Sequence, residues 1–595
     1  MHTVDIGIII GYMVVIVISG LMLSRRASKN LDSYFLGEKS VPWYILGASN
    51  ASSMFDITGT MWLVTLLFVY GLKSTWLPWL WPTFNTVFMA VYISAWLRRS
   101  NAMTGSEWMR TRFGEKLGAD LAQVSVAIFA LIWTIAFMAY AFQGIGKFSA
   151  VFLPWDLEPN TYALIIMSCT ALYVIFGGMY SVIVTDLIQF SIMILCSIII
   201  AVIAVNKVSP EALIAVIPHG WKDLFFGWEM SIDWSELIPQ VNNVIKEHAY
   251  SPWGFFFIMM IFKGVSNSLA GPAPNYDMQR ILATKSVKEA ASMSAFTSAV
   301  LFFPRYLLIT GVTILGLVFF STELSAMGDK VDFEQVLPYV LNNFIPTGLF
   351  GFLIAGLLAA FMSTFSGTVN AGAAYAANDI YKRYINPNAS HKKYVFVGYI
   401  CSLGLVVTGV AVGFMVSSID QILQWIVAGL TGGYTAPNIL KWYWWRLNGV
   451  GYFGGMMIGM AVSLILPVAL PGLHPLYGFP IILVLSLLGT IVVSLMTKPD
   501  DEQVVKSFYK SVRPWGFWHP IRAIVVAEDP GFVKNSNFRR DMVNVVVGTV
   551  WQLTFTIIPI FLVIREFKPM WITIAVLAVT TVFLKKNWYD KLQAD

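Results

Sequence analysis

Apolar runs of roughly 18 to 28 residues recur from Val4 to Leu584, each long enough to cross a hydrocarbon core about 30 Å thick as a helix. That recurrence constrains the fold before any motif is considered. Inside a bilayer every backbone N–H and C=O must find its partner within the protein, and continuous runs of this length do so as helices. The runs number about fifteen: residues 4–23, 42–70, 77–96, 121–145, 162–177, 181–205, 253–270, 291–320, 347–377, 394–416, 422–442, 451–470, 479–495, 543–564 and 570–584. With 57% hydrophobic and only 12% charged residues, the chain has too little polar surface for a water-soluble protein of 595 residues. The expected class is an all-α polytopic membrane protein.

The net charge of +6 does not point to nucleic acid, because the basic residues lie in short loops between runs rather than on one continuous face. "RRASKN" after the first run, "RRSNAMTGSEWMRTRFGEK" after the third and "KRYINPNASHKK" after the ninth mark cytoplasmic loops by the positive-inside rule. The N-terminus is then expected outside and the C-terminus in the cytoplasm. The acidic loop 206–250 suits the outer side. The first run lacks a basic leader and a small-residue cleavage site, so it reads as a retained span in a multi-pass protein of a plasma or bacterial inner membrane. Cys169, Cys196 and Cys401 all fall in apolar runs and suggest no disulfide framework. All six histidines sit in loops or near the termini, and no HExxH or GxSxG occurs, which argues against an enzyme. "KPDDEQ" (498–503) reads as solvated, and "KWYWWRLNGVG" (441–451) as a cytoplasmic interface anchor. Residues 497–541, with "FYKSVRPWGFWHPI", read either as a docked cytoplasmic element or as an amphipathic surface segment.

Two runs are locally broken. "SSMFDITGTMW" (52–62) places Asp56 beside Thr58 and Gly59, and "SNSLAGPAPNYD" (266–277) contains Gly271, Pro272 and Pro274, which cannot sustain regular helical hydrogen bonding. The breaks lie five runs apart. Two inverted five-helix repeats, each beginning with a discontinuous helix around a midplane site, would produce that spacing. The corresponding organisation is an extra span and loop (1–41), a first repeat (42–205), an outer loop (206–250) and a second repeat (251–446). Two peripheral spans (447–496), the segment 497–541 and two terminal spans (542–595) follow.

Four stretches resemble the sodium:solute symporter family, which includes sodium-coupled sugar, proline and sialic acid carriers. They are "YFLGEKSVPWYILGAS" (34–49), "FGGMYSVIVTDLIQ" (176–189), "QRILATKS" (279–286) and "GLLAAFMSTFSGTVNAGAAYAANDIYKRY" (356–384). The resemblance implies a leucine-transporter-like fold that works by alternating access, with Na+ as coupling ion and uptake of a small polar solute. It implies sodium ligands at Ser52, Phe55, Ala360, Ser363 and Thr364. Independently, Ala360, Ser363 and Thr364 share one helical face, although such hydroxyls also bond to their own preceding turn. "DITG" resembles the proline-carrier pattern in which the Asp is tied to sodium, which adds Asp56. Asp186, inside an apolar run, is a functional candidate by its position; the resemblance implies a role on a second cation path, and the other reading is a contact with a Lys or Arg.

Where sugar carriers of the family place Gln, Glu, Ser and Lys ligands, this chain has Gly59, Pro78, Trp81 and Leu301, and the gate tyrosine becomes Ala270. Asn267 alone is kept. Lys263 and Arg305 are intramembrane cations that would either bind an anionic or zwitterionic solute or pair internally with Asp56. Trp81 reads as a pocket wall or as part of an interfacial aromatic belt. The solute is expected to be a sugar derivative, amino acid or carboxylate, and beyond the lipid bilayer no obligatory protein partner is evident. Proton coupling and a transporter-like solute sensor are the alternatives.

Overall fold

A computed structural model describes the chain except residues 24–28, 81–84, 226–231, 249–262, 329–332, 334–335, 416–430, 474 and 593–595, and except the side chains of residues 78–80, 85, 247, 248, 467, 475 and 476. Among the described residues, eleven helices are long and apolar enough to cross a membrane. The other four runs have particular reasons to fall short. Residues 77–96 yield only the short apolar helix Thr86–Arg98, while 253–270 and 422–442 lie partly outside the described residues. Runs 162–177 and 181–205 join into one helix that bends at Gly178 (φ 52, ψ −153). A side chain there would strike Tyr34, with a Cβ only 2.7 Å from its carbonyl oxygen, which accounts for a glycine at this position.

In chain order the first helices are α1 (Thr3–Met22), α2 (Trp43–Met54), α3 (Ile57–Tyr70), α4 (Leu117–Phe152) and α5 (Pro159–Lys207). The next are α6 (Tyr276–Leu282), α7 (Val287–Phe319), α8 (Leu349–Ala374), α9 (His391–Met415) and α10 (Thr431–Tyr443). After them come α11 (Gly449–Ala469), α12 (Pro475–Met496), α13 (Glu502–Val512), α14 (His519–Glu528), α15 (Phe538–Val563) and α16 (Phe567–Asn587). α5 is the hub and packs on α1, α2, α4, α7 and α8. α7 and α8 are buried on nearly every side, as their lack of a polar stripe implies.

Both breaks persist as structure. α2 ends at Phe55 (φ −87, ψ 61), and α3 restarts behind Asp56, whose extended backbone (ψ 150) makes it an N-cap. Residues 263–270 are helical, Gly271 turns the chain at φ 91, and α6 begins behind the N-cap Asn275. At its far end α3 is closed by the loop that follows α5. The indoles of Trp221 and Trp234 donate to the carbonyls of Phe68 and Val69, each at 3.0 Å, satisfying groups that a helix C-terminus leaves open.

Residues 497–541 dock against the protein, which decides between the two sequence readings. Val505, Phe508, Val512, Trp518 and Val525 are buried, and the rings of Phe508 and Trp518 lie against the fully buried Arg112. Its guanidinium donates to the carbonyls of Lys441, Trp444, Trp445 and Leu447 and lies over the rings of Phe113, Phe508 and Trp518. Two expectations are corrected here. Trp442 is no interface anchor but a fully buried ring against Trp96 and Trp108. "KPDDEQ" is not wholly solvated: Asp500 accepts from the amide of Gly449 at 3.4 Å, and burial raises its carboxyl to about 6 despite the opposing pull of Arg112.

Arg112→Ala would leave four carbonyls without this donor and is expected to cost roughly 3 kcal/mol or more, read as a lowered thermal midpoint in detergent. For Asp500 the folded form binds its proton more tightly than the unfolded form, so stability falls as pH rises from about 4 through 6. Asp500→Asn should therefore be more stable than the parent at pH 7. The difference should shrink toward pH 4 in melts taken across that range.

Candidate functional site

The α2–α3 break is held by two guanidinium–carboxylate pairs. On one side, Asp56 accepts from the amide of Gly59 at 2.6 Å, from Arg305 Nη2 at 3.1 Å and from the Tyr140 hydroxyl at 3.2 Å. Arg305 comes from α7 and also donates through Nη1 to the Met54 carbonyl at 3.1 Å and through Nε to Thr60 Oγ1 at 3.3 Å. Its guanidinium lies 5.7 Å from the Phe55 ring centroid. Gly59 is small for a reason: a Cβ there would sit 2.5 Å from Asp56 Oδ1 and 3.1 Å from Arg305 Nη2.

On the other side, Asp186 of α5 is fully buried. It accepts from Ser49 at 2.5 Å, Ser363 at 2.6 Å and Arg280 Nη2 at 2.8 Å. Arg280 of α6 also donates to Ser49 Oγ at 3.0 Å and Ser53 Oγ at 2.7 Å, so one side chain ties α2, α5 and α6 together. Opposite α2, Thr364 of α8 donates to the Ser53 carbonyl at 2.7 Å and to the Ala360 carbonyl at 3.1 Å. Ser53 Oγ lies 3.2 Å from the Ser363 carbonyl and 3.3 Å from its hydroxyl. Ser52 Oγ is buried and has no partner.

The structure thus brings Ser53, Ser363 and Thr364 to one junction of α2 and α8, with Ala360 one turn before Thr364, Ser52 next to Ser53 on α2 and Phe55 at the adjacent break. The hydroxyls and carbonyls that meet there are uncharged oxygen donors, a chemistry that suits a small hard cation. Asp56 belongs to the neighbouring cluster with Arg305. Lys263, Asn267 and Ala270 find partners elsewhere, on α10 and α12. Asn267 accepts from Thr435 at 2.6 Å, the Ala270 carbonyl accepts from Trp442 at 3.1 Å, and Lys263 Nζ stands 5.1 Å from the Phe479 ring centroid without a hydrogen bond. Trp81 lies outside the described residues, as do the side-chain surroundings of Pro78. Leu301 is buried in α7. Sequence reasoning did not single out Arg280, Ser49, Ser53 or Tyr140. Arg280 stands within "QRILATKS", where an arginine near a loop is indistinguishable in sequence from an ordinary positive-inside residue.

The sodium:solute symporter family model matches residues 34–459. The chain belongs to this family. It is 25% identical over 583 residues to sodium/glucose cotransporter 4 of Danio rerio, covering 89% of this chain and 83% of that one. It is also 25% identical over 535 residues to a sodium/glucose cotransporter of Vibrio parahaemolyticus, covering 84% of this chain and 91% of that one. Among solved structures, a substrate-bound outward-open sodium-coupled sialic acid symporter aligns with a TM-score of 0.67 at 18% identity, over 84% of this chain and 99% of that one. The fold is therefore the leucine-transporter-like one, and the family and relatives are sodium-coupled transporters, not enzymes.

Removing Arg280 would strand a buried carboxylate. Arg280→Ala is expected to destabilise by about 3–5 kcal/mol. Arg280→Ala combined with Asp186→Asn should cost clearly less than the sum of the two single changes, a coupling that thermal melts of all four proteins measure.

Proposed function

We propose that this family member couples inward sodium flow to uptake of a small polar solute by alternating access, with sodium held at the α2–α8 junction. The observation that carries the reading is the meeting of the end of α2, through Ser53, with the hydroxyls of Ser363 and Thr364 beside the break at Phe55. Sodium would take the carbonyls of Ser52, Phe55 and Ala360 and the hydroxyls of Ser363 and Thr364. Those ligands come from both sides of the contact, so the ion favours the conformation in which α2 and α8 are together. Coupling of this kind is differential affinity between two states.

Asp56 acts on the same break from the solute side, as Arg305's partner. A solute carboxylate offered to Arg305 would replace Asp56 in kind, which favours an anionic or zwitterionic solute. The named relatives argue for sugar, but Gly59, Leu301 and Ala270 provide none of the directed hydrogen bonds that a pyranose needs. Lys263 and Asn267, one helical turn apart, offer polar groups on the α10 side of the solute path. Asp186 serves a second cation path in which an arriving cation would displace Arg280. The basic loops and the acidic outer loop support a cytoplasmic C-terminus and an outer N-terminus.

Uptake by the purified protein in proteoliposomes, screened with sugars, sugar acids, amino acids and carboxylates, tests this directly. Transport should require an inward sodium gradient and fall by at least tenfold in Ser363→Ala/Thr364→Ala, since both hydroxyl ligands are lost. Asp56→Asn should weaken sodium-driven uptake while leaving its pH profile unchanged. Loss of pH dependence instead would make Asp56 a proton site, and uptake indifferent to sodium across the panel would end the sodium reading.

A further inference from the structure

Between helix Thr86–Arg98, the first turns of α7 and the α15–α16 hairpin lies a cavity of about 280 Å³. Its walls include Val87, Ala90, Ala295, Trp551, Leu584 and Trp588, and they are almost entirely apolar. The volume is about twice the roughly 150 Å³ of an apolar cavity that accommodates benzene. A sugar or amino acid would lose its hydrogen bonds against such walls, whereas an alkyl chain would lose nothing.

The position of the cavity along the helices says what the chain would be attached to. Ala295 and Ser298 stand roughly 12 to 17 Å along α7 from its start at Val287, at 1.5 Å per residue. Leu584, Lys585 and Trp588 close the other end, at the terminus of α16. The cavity therefore runs from the membrane surface into the acyl region of one leaflet. At its mouth are Lys585, a lining residue in the last turn of α16, and Lys288 in the first turn of α7, with its Nζ 4.8 Å from the centroid of the lining residue Tyr589; the exposed Lys586 follows Lys585 in sequence. The acids at this end are Glu289, which accepts from the Lys285 amide, the exposed Asp590, and Asp541, which pairs with Arg540, so with Lys285, Lys288, Lys585 and Lys586 the end is net basic. Trp588 is 8% exposed, and its indole N–H is buried with no partner. An indole donor at headgroup depth suits an ester or phosphate oxygen.

We propose that this cavity binds one acyl chain of an anionic phospholipid from the leaflet on the basic side of the protein. Trp588 donates to an ester or phosphate oxygen, and Lys288, Lys585 and Lys586 surround the phosphate. On the positive-inside reading this is the cytoplasmic leaflet, where anionic lipid is concentrated. The chain would fill the seam between α7 and the terminal hairpin. α7 carries Arg305 two turns beyond Ser298, so the lipid braces the helix that holds the α2–α3 break.

The full-length protein in nanodiscs of mixed phosphatidylglycerol and phosphatidylcholine, released and weighed by native mass spectrometry, tests the site without reference to transport. One phosphatidylglycerol should be retained in preference to phosphatidylcholine, and neither inorganic phosphate nor glycerol phosphate should displace it. Retention should fall about tenfold or more in Lys585→Gln/Lys586→Gln, whose changes are at the surface. It should also fall in Ala90→Phe, which fills the cavity. Equal retention of the two lipids by the parent protein, unchanged retention in both variants, or displacement by free phosphate would each overturn the proposal.

Discussion

The centre of this molecule depends on a constraint that water would relax and a bilayer does not: an interrupted helix must have its freed backbone groups answered by protein. The break at Phe55 and Asp56 opens the carbonyl end of α2 and the amide end of α3 at the same depth. Asp56 answers the amide end through Gly59, and Arg305 answers the carbonyl end through Met54. Each charge therefore sits at the helix terminus whose dipole it complements. Because the two also pair with each other, one contact stabilises both half-helices and fastens them to α7. The desolvation penalty of a buried ion pair makes this arrangement hard to justify by stability alone. What it secures is the geometry of an otherwise unsupported break.

The Asp186–Arg280 pair fulfils the same role one layer deeper. Neither side chain is measurably exposed to solvent beyond 1%, and the surrounding hydroxyls of Ser49, Ser53 and Ser363 use most of the remaining hydrogen-bonding capacity. With Arg280 in place the charge of the carboxylate is balanced, so on the proposed sodium reading the ion would meet hydroxyl and carbonyl oxygens beside a pair with no net charge. Moving Arg280 aside would leave an uncompensated negative group beside the same oxygens. On that reading the hold on the ion is linked to the position of α6, which begins immediately after the second break.

What was legible in the sequence was local. The apolar spans, both breaks and the shared face of Ser363 and Thr364 follow from residue patterns within a few turns of helix. Pairings between distant segments do not: Arg305 was compatible with a solute or with Asp56 until α7 was seen against α3. Arg280 was hidden because a cationic residue near a helix end normally marks topology. The aromatic and basic stretch around Trp442 was misread for a related reason. Indole rings and cations that face a lipid interface have the same composition as those that face Arg112 and Trp108, and only tertiary packing separates them. Asp500 likewise looked solvated until it was seen against the Gly449 amide at the start of α11.

The family model ends at residue 459, yet the remainder of the chain is not an independent appendage. α15 packs along α7, and α13 and α14 pack around Arg112, whose guanidinium donors end on the carbonyls following α10. Closely packed interiors are bistable rather than continuously deformable, so α7 cannot shift relative to the rest of the bundle without either carrying the hairpin along or sliding across it. A slide would expose or reshape the apolar seam between α7 and the hairpin, and under the proposed alternating access the energy of that seam would enter the balance between the two states. The C-terminal segment is therefore placed to set how easily the helix bearing Arg305 moves, although it contributes no residue to either ion pair at the break.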